Sequence, residues 1–289
     1  MANFQGTKIN PKRFSLSQLK FYLVLIPLAI FMVLPVVYII NQAFKPMGEL
    51  FAFPPTLFVQ QPTMDNFRDL FRLSSATGVP MSRYLFNSFV IAVTTVVLNL
   101  IITITAAYAL SKKKFKLKGT LLNINQMALM FVATAVSVPR YIVIAKTGLM
   151  NTWLAHILPL IALPVGLFLV KQFVDQIPDA IIEASVMDGA NDWTIVRKVI
   201  IPLTKPALAT SVVLTFQTVW NATEASNNFI TNDAMRTLAF YLTSISTNNN
   251  IAASGMVAAA SVILFLPNLI IFVLMQSQVM NTMTHSGIK

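Results

Sequence analysis

Residues Glu183–Pro206 read EASVMDGANDWTIVRKVIIPLTKP, a polar, charge-bearing island between two long apolar runs. An island of this kind is expected to be a docking surface, and its residues spell two short helices meeting at a tight corner. Pro178 suits a first helical position, where a missing N–H has no partner to lose, and Asp179 places negative charge at the positive end of the helix dipole. Gly189 can take the left-handed conformation that closes such a helix. Asn191 is then the expected N-cap of a second helix, with Asp192 in its first turn and Arg197 and Lys198 near its end. Pro202 and Pro206 are expected to stop that helix before the next apolar run begins.

Around the island the chain is 56% hydrophobic and 11% charged over 289 residues, more apolar surface than a water-soluble core of that size can hide. Uncharged runs cover Phe21–Phe44, Tyr84–Ser111, Gly119–Pro139, Thr147–Val170, Pro206–Thr223 and Ile251–Met275. Each approaches or exceeds the roughly 18–20 residues that cross about 30 Å of hydrocarbon. The expected fold is an all-α polytopic membrane protein with six transmembrane helices. Pro27, Pro35 and Pro267 lie inside runs and are expected to kink them. The first run is too long for a signal-peptide core and is read as an uncleaved span.

Basic residues set the orientation. With the N-terminus inside, fourteen of the 21 Lys and Arg fall on the cytoplasmic side, including the run SKKKFKLKG at 111–119 and the island itself. The positive-inside rule then puts both termini in the cytoplasm. The net charge of +11 is scattered over span ends, so the dense run reads as a topology signal with some attraction to anionic lipid, and no nucleic-acid partner is expected.

The residue types that carry chemistry are sparse. There are no cysteines, which excludes disulfides and thiolate metal sites. The two histidines, His156 and His285, are isolated, so no metal site is expected; no G-x-x-x-x-G-K-[ST] loop is present to cradle a nucleotide. All ten acidic residues lie between the apolar runs, which removes the usual carriers of proton or sodium coupling. What the runs do hold is uncharged polarity, including Asn99, Thr103, Tyr108, Gln217, Trp220, Asn221 and Asn268. These groups can hydrogen-bond a polyhydroxylated solute or tie helices to one another, and both readings stay open.

The island resembles the cytoplasmic EAA loop of bacterial ABC-importer permeases: E-A-A, a Gly six positions after the Glu, nine residues, then I-x-L-P. Glu183, Ala184, Ser185, Gly189, Val199, Ile201 and Pro202 occupy those positions, with Ser for Ala, Val for Ile and Ile for Leu as departures of similar size. Trp220–Asn221 followed by Arg236–Thr237–Leu238, and the ending HSGIK, are similar to the smaller six-span permease of maltose-type carbohydrate importers. The long outer segment Asn41–Arg83 and the tail resemble the subgroup importing complex, uronic-acid-containing oligosaccharides. The resemblance implies the type I ABC importer architecture: a single permease domain over 1–289, a coupling loop at 175–205 and a cytoplasmic tail at 276–289. It implies a cell-membrane complex with a second homologous permease, two ATPase subunits that bind ATP and Mg, and an extracytoplasmic solute-binding protein. The chain itself is then neither an enzyme nor the holder of a cofactor.

By the same resemblance, Glu183, Ala184, Ser185, Asp188, Gly189, Ala190 and Pro202 engage the ATPase. Asn99, Thr103, Gln217, Trp220 and Asn221 are candidates for the translocation path. Ser246, Asn248, Asn249 and Asn250 are candidates for contact with the binding protein. A permease of the same mechanism for peptides, polyamines or anions, and an ATP-independent carrier, are the alternatives.

Overall fold

A computed structural model describes residues 19–76, 78–132, 134–247 and 254–286, with the backbone alone for 75–76 and 280–286. Every regular element among the described residues is helical. The chain divides into two compact units, one drawn from Met1–Leu70 and Asn249–Val262, the other from Phe71–Asn248 and Ile263–Lys289.

In the first unit, α1 (Leu19–Phe44) runs on through Pro27 and Pro35, and its apolar side chains are exposed along nearly its whole length. Its C-terminal end is held by side chains that satisfy the irregular backbone following it. The Asn66 amide donates to Ala43 O (2.9 Å) and Lys45 O (2.8 Å), and Asn41 Oδ1 accepts from Val59 N–H at 3.0 Å. The buried Lys45 ammonium donates to Thr56 O. Ala43 packs with Ala258 and Ala259 at the start of α13 (Ser254–Ser286). Gly255 is required there, because a Cβ would lie 2.3 Å from Asn66 Oδ1.

The second unit is built on α3 (Met81–Lys112), which follows α2 (Asp65–Ala76). Next come α4 (Lys118–Ala128), α5 (Ser137–Lys146), α6 (Trp153–Ile161) and α7 (Pro164–Asp175). Two arms of the island follow as α8 (Asp179–Met187) and α9 (Asp192–Leu203), then α10 (Lys205–Trp220), α11 (Glu224–Asn228) and α12 (Leu238–Thr247). Ile104 and Ala107 of α3, Val170 and Val174 of α7, Ile195 and Ile200 of α9 and Ala207 of α10 form one buried core. α7 and α10 approach so closely that a Cβ on Gly166 would lie 2.9 Å from Ser211 Oγ.

Two of the runs read as continuous spans are interrupted. In Gly119–Pro139, α4 ends at Ala128 and α5 begins only at Ser137. Pro139 cannot sit inside a helix without losing a bond to residue 135, so α5 starts where Pro139 falls among the three first-turn N–H groups that need no acceptor. In Thr147–Val170, Pro164 forces Leu163 into an extended conformation (φ −96°, ψ 111°), and α6 and α7 meet at a 43° bend. By length and composition three described helices can cross a bilayer, Leu19–Phe44, Met81–Lys112 and Ser254–Val279. The number is five if each bent pair makes one crossing, against the six read from the sequence.

Candidate coupling site

The island folds as the expected corner. Pro178 lies one residue outside α8, as its N-cap (φ −59°, ψ 137°), so Asp179 becomes the first helical residue. The exit is a Schellman turn: Gly189 N–H donates to Val186 O (2.9 Å), Ala190 N–H donates to Ser185 O (3.0 Å), and Gly189 has φ +82°. Asn191 Oδ1 then caps α9 by accepting from Thr194 N–H at 2.8 Å. Pro202 does not stop α9. A π turn over Val196–Ile200 precedes it, with Ile201 N–H reaching back to Val196 O, and the wider turn admits the proline ring. The 85° bend into α10 comes at Thr204 instead.

Between the arms lies an open polar groove of about 420 Å³ lined by Ser185, Asp188, Gly189, Ala190, Asn191, Thr194, Ile195, Lys198 and Val199. Glu183, Ala184 and Pro202 are exposed beside it. Glu183 and Met187 share a face of α8 at i, i+4 spacing. Met187 is 87% exposed and Trp193 60%. With Val186 (54%) and Ile181 (41%) also exposed, the arms present an apolar surface beside the polar groove, of a kind suited to a partner. In the sequence Met187 carries no mark of this role, whereas a Trp inside a charged loop is itself a signal.

The groove is braced from below by the basic run. Lys112 Nζ, the last residue of α3, donates to Asp179 Oδ1 (2.7 Å) and to Ile177 O (2.5 Å). Lys113 Nζ donates to Asp192 Oδ1 at 2.6 Å, and Tyr108 OH donates to the same oxygen at 2.9 Å. The Lys112 ammonium, with Lys114 and Lys118 nearby, holds the Asp179 carboxyl below its usual range. Lys113 and Tyr108 do the same for Asp192, and Asp192 in turn raises Lys113.

The remaining candidates are spread over other parts of the chain. Asn99 is fully buried; its amide donates to Ile161 O (2.6 Å) and its Oδ1 accepts from Thr215 Oγ1 (3.0 Å). Thr103 is buried in α3. Trp220 is buried, stacks on Phe216 at 5.4 Å and donates Nε1–H to Leu264 O at 3.1 Å. Gln217 O accepts from the Asn221 amide, and Asn221 Oδ1 accepts from Asn268 at 3.4 Å. His156 is buried, with Nε2 3.2 Å from Met235 O. Arg236–Thr237–Leu238 is pinned to α3. The Asn87 amide donates to Ala234 O and Arg236 O, both at 2.8 Å, and Ser88 Oγ accepts from Leu238 N–H at 2.8 Å. Ser246 is exposed near the end of α12, whereas Asn248, Asn249 and Asn250 lie outside the described residues, as do the last residues of the tail.

Comparison with known proteins gives the family. The model of the family described as binding-protein-dependent transport system inner membrane component matches residues 101–279, and the chain belongs to that family. It is a multi-pass protein of the bacterial inner membrane. It is 30% identical over 278 residues to the inner membrane ABC transporter permease protein YcjP of Escherichia coli, covering 95% of this chain and 98% of that one. It is 28% identical to the sulfoquinovosyl glycerol transport system permease protein SmoH of Agrobacterium fabrum, with 88% of each chain covered. It is also 28% identical to the trehalose transport system permease protein SugB of Mycobacterium tuberculosis, over 89% of this chain and 92% of that one. A chain in the crystal structure of a bacterial ABC transporter involved in import of the acidic polysaccharide alginate has the same fold: TM-score 0.77, 23% identity, 92% of this chain and 98% of the other.

Proposed function

We propose that this chain is one of two homologous permease subunits of an ATP-driven importer, forming half of the pathway for an oligosaccharide delivered by an extracytoplasmic binding protein. Two ATPase subunits bind and hydrolyse ATP with Mg, and the permease contributes no catalytic group. The observation that carries this reading is the corner at Gly189, whose groove and exposed Met187 and Trp193 suit a partner surface in a chain of this family. In this reading the loop 175–205 faces the cytoplasm with both termini. The interrupted run Gly119–Pro139 makes one of six crossings, and ATPase closure pushes on α8 and α9. Glu183 offers a carboxylate to a donor on the ATPase, and the tail 276–289 joins the same contact. The saccharide class rests on the relatives named for sulfoquinovosyl glycerol and trehalose.

Uptake into proteoliposomes containing the complex and its cognate binding protein tests the function. Trehalose, neutral maltooligosaccharides and alginate-derived oligouronates are compared with peptides and polyamines. Import of at least one saccharide, dependent on the ATPase, is the expected result. Import of peptides or polyamines alone overturns the substrate class, and uptake without ATPase subunits overturns the mechanism. A second expectation concerns the region at Ser246 and 248–250. Cysteines placed there should crosslink to the binding protein in the ATP-trapped complex and not in the resting one, and equal crosslinking in both states would remove that contact.

A further inference from the structure

Consecutive lysines at the end of α3 engage the first residue of each arm of the corner. Lys112 takes Asp179, which opens α8, and Lys113 takes Asp192, which opens α9. They diverge because Lys112 is the last helical residue whereas Lys113 is extended (φ −98°, ψ 151°). A third lysine holds the chain in that exit: Lys118 Nζ donates to Ser111 O (3.1 Å) and Lys113 O (3.5 Å). The three together assign work to a run that charge counting alone reads as a topology signal.

We infer that Lys112 and Lys113 are positioning residues that lock both arms of the corner to the end of α3, so that a push on the corner is carried into α3. This rests on the reading of the corner as the ATPase docking site. The apolar core beneath the corner resists separation, but apolar contact is non-directional and permits sliding and rotation. Two charge-assisted bonds to the two helix starts remove that freedom, because each fixes one arm in register. The bonds are unequal. Both carboxylates are largely exposed (77% and 60%), which limits the strength of a plain surface ion pair, but the Lys112 side chain is only 6% exposed and also satisfies Ile177 O. Losing Lys112 therefore matters more than losing Lys113.

The titratable groups facing Asp179 are the cationic Lys112, Lys114 and Lys118, and those facing Asp192 are the cationic Lys113 and the neutral phenol of Tyr108. Depressed carboxyls contribute above their ordinary value of 3.8 and are lost only below it, and a raised Lys113 contributes up to and beyond 10.5. The latch is thus indifferent to pH between about 5 and 9. Salt is the variable that weakens it, as the screening length falls from about 8 Å at physiological ionic strength to about 3 Å at 1 M.

The test is the number of ATP molecules hydrolysed per saccharide imported, in the reconstituted complex with the imported saccharide of the panel above. Lys112→Met should raise the ratio about fivefold and Lys113→Met less, with wild type rising at high salt and flat with pH. Lys112→Arg, which keeps a cation able to donate to both Asp179 and Ile177 O, should return the ratio to within about twofold of wild type, whereas Lys112→Met keeps only the apolar stem. An unchanged ratio in the double Lys→Met variant, or a Lys112→Arg variant as defective as Lys112→Met, overturns the latch. Failure of the underlying reading is distinguishable, since a wild-type complex without binding-protein-stimulated hydrolysis removes the docking site itself.

Discussion

Substitution of Gly189 by Val is expected to abolish binding-protein-stimulated ATP hydrolysis in the assembled importer, a loss of about tenfold or more. The reason is conformational. Gly189 has φ +82°, and nothing lies within 4 Å of the position a Cβ would take, so there is room for a side chain but not for its backbone preference. A left-handed residue costs an L-amino acid about 1–2 kcal/mol, and a β-branched one is a steric outlier there. Relief comes only by unwinding the Schellman turn, which releases the bonds to Val186 O and Ser185 O and turns α9 away from α8. Asn tolerates this region, so Gly189→Asn should retain most of the stimulation. Glu183→Lys should also lose it, through the reversed charge beside the groove and without unwinding the turn. Full stimulation in both Gly189→Val and Glu183→Lys would remove the lever role from the corner.

Asn99→Leu should lower the thermal stability of the purified permease more than any single change at its neighbours. Ile161 ends α6, so its carbonyl has no intrahelical donor, and within the bilayer no water replaces one. The Asn99 amide supplies that donor, and its oxygen accepts from Thr215. Leu would strand the carbonyl at about 1–3 kcal/mol, and melting would fall by about 2–4 °C for each kcal/mol. Thr215→Val should cost less, because it leaves Ile161 O satisfied. Equal melting of wild type and Asn99→Leu, followed by intrinsic fluorescence in detergent, would show that the amide does not cap α6.

The corner was legible in the sequence because its determinants are local. Gly189 fixes the left-handed turn, Asn191 reaches three residues ahead, and the spacing from Glu183 to Pro202 is set along one stretch of chain. Lys112 and Asp179 are 67 residues apart and Lys113 and Asp192 are 79 apart, and no local rule pairs them. A lysine run that signals orientation and one that grips a carboxylate have the same composition. The breaks between Ala128 and Ser137 and at 162–163 were written in Pro139 and Pro164, but uniformly apolar surroundings read as continuous spans. Asn99 and Trp220 show a further limit: an amide or indole in an apolar helix has the same sequence signature whether it meets a solute or another helix. Here burial and the bonds to Ile161 O and Leu264 O show which groups they meet within the chain. Met187 stands out only once the fold shows it exposed, whereas Trp193 is already marked by its place in a charged loop.

The most direct test of the central claim, that the corner receives an ATPase subunit, is photocrosslinking from Met187 in native membranes. A photoactivatable amino acid at this 87% exposed position should yield an adduct of this chain with an ATPase subunit. The adduct should vanish when Gly189→Val is added. The same probe at Phe53, 95% exposed and expected on the outer side, should give none. Absence of an ATPase adduct from Met187 in a complex that transports, or an equal adduct from Phe53, would contradict the account.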